Sequence, residues 1–268
     1  MVASSLSISR AWDETRDIFQ RDGRLLIAVA LALIVLPEVV AGLIAPPQTT
    51  SVEVPTAVQF MRLAVGLISL IGQLALIRLA LGPSTTVGAA IGHGARRFPS
   101  AFGALFIVIL AVAIPFGLIL AAMGVNPANA TKVPPGASVV LLVLAVAALL
   151  VLVRFTMISP VASAEDIGPF AVLKRAWQVT KGHYWRLLGF VALLSLAFVV
   201  LLIVAGVVGG LLARLFSPTI EPMSLGALIL SFCAGAAQGA FSILTSVMLA
   251  RIYAQLAGES KSVGEIFR

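Results

Sequence analysis

Long apolar stretches alternate with short polar joints along the whole chain. The predicted spans cover residues of about 25–45, 60–82, 101–123, 137–157, 187–213 and 225–252. Each stretch has, or nearly has, the roughly 20 residues needed to cross a bilayer core. Solid apolar blocks are typical of helices, since the strands of a barrel would alternate apolar and polar positions. The pattern therefore predicts an all-α fold, a polytopic membrane helix bundle with six transmembrane helices.

The composition leads to the same class. Hydrophobic residues make up 60% of the chain and charged residues 11%, with a mean hydropathy of +1.10. One soluble core of this size cannot hide so much apolar surface, so lipid must be the solvent. The one cysteine, Cys233, excludes an internal disulfide and a cysteine-based metal site. We expect a single integral membrane domain over residues 1–268.

The basic residues predict how the spans are threaded. Of the 18 lysines and arginines, only Arg62, Lys132 and Arg214 fall on one side of six alternating helices. The positive-inside rule then places both termini in the cytoplasm, together with the joints at 83–100 and 154–186.

The net charge of +7 needs no nucleic-acid partner. The cations border apolar spans and are interleaved with tryptophan, tyrosine and phenylalanine. Charges that set topology and attract anionic headgroups explain this arrangement. We therefore expect membrane phospholipids as partners and no nucleic acid.

A local repeat relates the N-terminal segment to the joint before the fifth span. The matched pairs are Arg10 with Arg175, Ala11 with Ala176, Trp12 with Trp177 and Thr15 with Thr180. This match predicts three repeated helix-pair units, each opened by a cytoplasmic interfacial helix, with residues 1–24 as the first such segment. Convergence is the alternative, because amphipathic segments at a membrane surface favour these residue types anyway.

The joint at 159–186 is predicted to be an interfacial helix. It starts at Gly168-Pro169, and Phe170, Leu173 and Trp177 recur at helical spacing to give one apolar face. Two interpretations are open. One is a lipid headgroup site made of Lys174, Arg175, Lys181, His183 and Arg186. The other is anchoring in the headgroup layer, with the interface anchors Trp12, Trp177, Tyr184 and Trp185.

The same joint carries a family resemblance. The string SPVASAEDIGPFAVLKRAWQVTKGHYWRLLGF at 159–190 resembles the bacterial membrane-domain family of glycerophosphoryl diester phosphodiesterases. The shared features are a Ser-Pro and acidic turn and an LKRAW…TKG…W run, here Ser159, Pro160, Glu165, Leu173, Lys174, Arg175, Trp177, Thr180, Lys181, Gly182 and Trp185. The resemblance implies the stand-alone form, a six-helix domain of the bacterial inner membrane. It carries over no catalysis, because the phosphodiesterase barrel of that family is a separate domain.

The residue types needed for catalysis are not gathered in this sequence. Hydrolysis or phosphoryl transfer needs a base, metal ligands or a nucleophile in one place. The two histidines, His93 and His183, fall on separate joints, and no metalloprotease, hydrolase or phosphate-loop motif is present. We expect no catalytic residue, no metal, no cofactor and no enzymatic activity.

Polar side chains inside the apolar spans are the remaining candidates for function. They are Glu38, Gln73, Gln238 and Thr245. A hydrogen bond between Gln73 and Gln238 would clamp the second span to the sixth. Alternatively, all four line a substrate path, since polar groups in lipid face a partner or a water-filled space.

Three functional hypotheses follow. The first is a non-enzymatic phospholipid-associated scaffold, sensor or membrane partner of a separate enzyme. The second is a transporter or flippase for a lipid or small amphiphile, which predicts that Glu38, Gln73 and Gln238 converge on one wet cavity. The third is a membrane domain contributing to glycerophosphodiester metabolism.

Gly235 and Gly239 form a GxxxG pair, so close packing is expected, within the chain or in a homo-oligomer.

Overall fold

The computed structural model describes residues 7–45, 55–82, 86–124, 137–217 and 221–266, and within these ranges it contains helices and no strand. The helices are α1 (Ile8–Ala30), a π segment (Leu31–Val35), α2 (Leu36–Ile44), α3 (Thr56–Leu81), α4 (Val87–Ala122), α5 (Ala137–Arg154), α6 (Ile158–Ala164), α7 (Pro169–Thr180), α8 (Tyr184–Phe216) and α9 (Leu225–Ile266).

Six of the helical stretches are long and apolar enough to cross a membrane, as the sequence predicts. In order, they are Ile8–Ile44, Thr56–Leu81, Val87–Ala122, Ser138–Ala164, Tyr184–Phe216 and Leu225–Gly258. The prediction of an all-α bundle with six spans is confirmed. The chain is a multi-pass membrane protein.

The bundle has two ends, which we call the joint end and the loop end. The joint end holds residues 7–24, 86–100, 155–183 and 251–258, and the loop end holds 45, 55–62 and 217–225. Ion pairs and hydrogen bonds join the segments of the joint end to one another. For example, Arg251 pairs with Glu14 at 2.7 Å. At the loop end, the Met223 amide donates to the Leu43 carbonyl at 2.9 Å.

The N-terminal segment is continuous with the first span. Helix α1 begins after Ser7, whose hydroxyl accepts from the Arg10 amide, and the helix runs on without a break into the apolar stretch. The third predicted unit differs, since α7 ends at Thr180 and Gly182 has a φ of +92°. Glycine permits this turn, whereas Asp17, at the matched position, stays helical.

The matched residues of the two segments share a local environment. Ala11 and Ala176 are both completely buried. The Thr15 hydroxyl donates to the Ala11 carbonyl at 2.7 Å, and the Thr180 hydroxyl donates to the Ala176 carbonyl at 3.0 Å. Both segments therefore turn the same small and polar face toward the protein, and their common origin stays a prediction.

The first, second and sixth spans form the closely packed side of the bundle. Leu26, Ile34, Leu76, Ile77 and Val247 are buried between them in one apolar cluster. The fourth span is peripheral, because 6% of its apolar window is buried against 44% for the second span. The third to fifth spans thus present most of their apolar surface outward, as expected for helices whose solvent is lipid.

Glycines allow the neighbouring spans to approach the π segment. A Cβ atom on Gly235 would lie 3.3 Å from the carbonyl oxygen of Val35, and one on Gly239 would lie 2.5 Å from the Val35 Cγ2 atom. On the other side, a Cβ atom on Gly72 would lie 3.2 Å from the Ile34 side chain. The GxxxG pair of the sixth span therefore packs against the first span of the same chain.

We expect Gly239→Ala to destabilise the bundle. Alanine favours a helix by about 1 kcal/mol over glycine, but overpacking against the stiff Val35 side chain costs about 2 kcal/mol. The net loss of about 1 kcal/mol is measured as thermal unfolding in detergent. Gly206→Ala is the matched control, because nothing lies within 4 Å of its Cβ position. Equal stability of the two variants would contradict this packing.

Candidate functional site

A polar cavity of about 500 Å³ lies between the first, second and sixth spans. Helix α2 and helix α3 each turn one face toward it, with lining positions spaced at i, i+3, i+4 and i+7. These faces and one glutamine of α9 supply Glu38, Ala41, Gly42, Ala45, Arg62, Val65, Gly66, Ser69, Gln73 and Gln238. The regular spacing means that the helices, rather than loops, position the polar groups.

The face of α2 is set by the π segment that precedes it. Pro37 has no amide hydrogen, and in a regular helix its ring would collide with the carbonyl of Leu33. The helix is wider just before Pro37, where the Leu36 amide donates to the Leu31 carbonyl five residues earlier. A π turn of this kind changes the direction of the side chains that follow it, including Glu38.

Two opposite charges lie at the same depth from the loop end. Glu38 is six residues before the end of α2 at Ile44, and Arg62 is six residues after the start of α3 at Thr56. At 1.5 Å per residue, both lie about 9 Å along their helices. Gln73 lies deeper, about 25 Å from the start of α3. The cavity therefore has a charged mouth and an amide-lined base.

The two charges do not neutralise each other directly. Neither Glu38 nor Arg62 takes part in any ion pair of the described residues, and both side chains are exposed. A charge at membrane depth is costly unless water, a partner or a ligand solvates it. The mouth of the cavity thus offers a separate cation and a separate anion.

The two glutamines face the cavity instead of each other. No hydrogen bond joins Gln73 to Gln238 in the described part of the chain. There, the only buried side-chain nitrogen or oxygen without a partner is Gln255 Nε2, so the two cavity amides are accessible. The clamp between the second and sixth spans is not formed, and both amide groups are available to water or a ligand.

The fourth predicted polar residue lies outside the cavity lining. Thr245 donates its hydroxyl to the Phe241 carbonyl of its own helix at 2.7 Å. Sequence reasoning missed Arg62 and Ser69. A signal for them exists, since Arg62, Ser69 and Gln73 are spaced by seven and four residues and share one face of α3.

Packed apolar side chains close the cavity toward the joint end. Ile34, Leu76 and Val247 are almost completely inaccessible and belong to the cluster between the same three spans. In contrast, Ala45 at the end of α2 and the exposed Arg62 bring the lining to the loop end. The cavity is therefore closed toward the joint end and reaches the loop end.

Polar contacts tie α9 to the other helices at the joint end. Glu14 accepts from Arg10 at 2.9 Å and from Arg251 at 2.7 Å. These contacts join α1 to the last part of α9.

A second carboxylate connects the segment between α6 and α7 to α9. Glu165 accepts from Arg175 at 2.9 Å and from the Tyr253 hydroxyl at 2.7 Å. We call Glu14, Arg251, Glu165 and Tyr253 the joint-end clasp. It holds both matched segments against one helix, on the side opposite to the cavity mouth.

The expected headgroup residues have different surroundings. Lys174, Lys181 and Arg186 are exposed, whereas Arg175 is held by Glu165 and His183 is partly buried. The structure therefore does not show these five side chains converging on one pocket.

The expected interface anchors lie on the surface of the joint end. Trp12, Trp177 and Trp185 are exposed. Tyr184 donates its hydroxyl to the Leu150 carbonyl at 3.0 Å. The side of α7 that contacts the protein is formed by Val172, Ala176 and Val179. Of the predicted apolar face, Phe170 and Trp177 are exposed and Leu173 is partly buried.

Comparison with known proteins gives one family. The family model described as "Domain of unknown function (DUF7847)" matches residues 6–256. No curated protein matches the chain, and neither does any solved structure. Because the match includes five spans, nearly all of the sixth, the cavity and the joint-end clasp, this membrane protein belongs to the DUF7847 family.

Proposed function

We propose that this protein is a non-enzymatic carrier for a lipid or small amphiphile with a zwitterionic headgroup. The observation that supports the proposal is the convergence of Glu38, Arg62, Gln73 and Gln238 on one cavity. A dry core would not place an unpaired cation and an unpaired anion at the same depth. A headgroup that carries both charges satisfies both side chains at once.

The cavity matches such a headgroup chemically. The Arg62 guanidinium suits a phosphate, for which arginine offers paired donors. The Glu38 carboxylate suits an ammonium group. The amides of Gln73 and Gln238 suit ester or hydroxyl groups below them, since each amide has donors and an acceptor. A volume of about 500 Å³ lies within the range of ligand pockets.

Movement across the membrane needs a second state of the bundle. In the described state, the cavity reaches the loop end, and the apolar cluster with the joint-end clasp closes the other side. Alternating access moves one group of helices against another around a fixed site. We propose that opening the clasp releases α1 and the α6–α7 joint from α9 and exposes the site to the joint end.

Lipid movement in proteoliposomes tests this function. We expect the purified chain to expose an inner-leaflet zwitterionic phospholipid, fluorescent on its acyl chain, to an external quencher faster than in protein-free liposomes. Gln238→Leu should slow this movement, because it removes an amide from the base of the cavity. Thr245→Val is the matched control, since Thr245 lies outside the lining. Equal rates with and without the protein would reject the carrier function.

A scaffold or membrane partner of a separate enzyme is the second candidate. It is favoured by the open side of the bundle, where the third to fifth spans are little buried. The resemblance of residues 159–190 to the phosphodiesterase membrane domains adds a link to glycerophosphodiester metabolism. A stable homo-oligomer or partner complex, without lipid movement, would select this function.

We also propose a membrane and an orientation. The positive charge of the joints supports a bacterial inner membrane with both termini and the joint end in the cytoplasm. The cavity mouth then faces the periplasmic side.

A further inference from the structure

A second, entirely apolar groove separates the third and fourth spans. Its volume is about 300 Å³, and the spans on either side contact each other little. The lining comes from α4, α5, the residue after α5 and one residue of α7, and includes Val112, Pro115, Ala148, Phe155 and Leu173. All lining residues are hydrophobic, so the groove fits a hydrocarbon chain and differs from the polar cavity.

The joint end of this groove carries a cation held by aromatic rings. The Arg154 guanidinium lies 4.2 Å from the centre of the Trp177 ring and 5.2 Å from that of Tyr184. The Trp177 ring in turn packs against Phe155, a lining residue, at 6.0 Å. The rings fix the guanidinium beside the end of the groove.

This cation has no carboxylate partner among the described residues. By contrast, Arg97 pairs with Asp166 and Arg175 pairs with Glu165 at the same end of the bundle. Next to Leu173 of the lining, Lys174 adds a second, exposed cation. The apolar groove is thus continuous with a positively charged surface that an anionic group can complete.

We propose that this groove is a binding site for one anionic phospholipid of the leaflet at the joint end. An acyl chain fills the space between α4 and α5, and the phosphate contacts Arg154, with Lys174 attracting the negative headgroup. The site is separate from the carrier cavity, and its occupant is a resident lipid instead of the cargo.

The physics of the bilayer explains why both parts of the site are needed. An acyl chain in the bilayer is already surrounded by hydrocarbon, so no water is released when it enters the groove. The groove therefore provides shape and dispersion contacts but little hydrophobic driving force for binding. The headgroup must provide the selectivity. A guanidinium held by aromatic rings is preorganised for a phosphate and loses little freedom on binding.

Native mass spectrometry of the full chain in gentle detergent tests the charge requirement. The protein is mixed with equal amounts of phosphatidylglycerol and phosphatidylcholine. We expect the wild type to retain phosphatidylglycerol preferentially. In Arg154→Gln, we expect this preference to fall about fivefold, the effect of one basic residue at an anionic surface. Arg78→Gln, at the joint end of α3, is the control that keeps the wild-type ratio.

A second pair of variants tests the groove. Ala148→Phe fills the space and should remove the bound phosphatidylglycerol. Ala145→Phe adds the same side chain to an exposed position of α5 outside the lining and should leave the lipid bound. The proposal is overturned if Arg154→Gln keeps the wild-type preference, or if Ala148→Phe retains as much lipid as Ala145→Phe.

Discussion

Glu38→Gln should slow the protein-dependent movement of phosphatidylethanolamine, whose primary ammonium group can donate hydrogen bonds, by about thirtyfold. The amide has nearly the shape of the carboxylate but no charge, so the contact with the ammonium group of the headgroup is lost. A contact of this kind to a charged group is worth about 2 kcal/mol, which corresponds to that factor. The rate is measured by quenching of fluorescent lipid in proteoliposomes.

The cargo itself provides the control for this variant. Phosphatidylglycerol has no ammonium group, so its movement should change little in Glu38→Gln. Arg62→Gln should slow both lipids, because both carry the phosphate that Arg62 contacts. An equal loss for both lipids in Glu38→Gln would assign Glu38 a role in folding and contradict headgroup binding.

Glu165→Ala should lower the free energy of unfolding by about 2 to 3 kcal/mol. The substitution removes the carboxylate that accepts hydrogen bonds from both Arg175 and Tyr253. The loss of the acceptor by the buried Tyr253 hydroxyl costs about 1–3 kcal/mol, and the 30% exposure of the Glu165 side chain keeps the contribution of its ion pair with Arg175 small. Thermal unfolding in detergent, followed by tryptophan fluorescence, measures the loss.

The neighbouring carboxylate is the matched control for this loss. Asp166 pairs with Arg97, but its side chain is 90% exposed. Exposed ion pairs contribute little, so Asp166→Ala should leave stability nearly unchanged. A similar loss in both variants would show that any negative charge at this joint suffices and that the clasp geometry is unimportant.

The number of spans and their helical type could be predicted from the sequence because apolar runs of this length have few alternatives. The polar residues Glu38 and Gln73 were found by the same logic, since they interrupt such runs. Arg62 was missed because it was counted as one of the few cations on the loop side of the spans. Helix α3 starts at Thr56, directly after Pro55, so Arg62 is helical and lies on the same face as Ser69 and Gln73.

Other features depend on tertiary packing, which one sequence does not reveal. The clasp joins Glu14 to Arg251, residues far apart in the chain, and no local pattern marks the pair. Thr245 was expected to join the polar path, but its hydroxyl donates to its own helix at Phe241. Threonine often forms this backbone contact, which satisfies it without any partner helix.

The π segment at Leu31–Val35 fixes the rotation of α2 relative to α1. In a chain that kept ordinary α-helical hydrogen bonding through this segment, α2 would be rotated by about 100° about its own axis. Glu38 would then face away from Arg62, and the ring of Pro37 disfavours that arrangement. The presence of both charges at the cavity mouth therefore depends on one irregular turn of the backbone and on the proline that follows it.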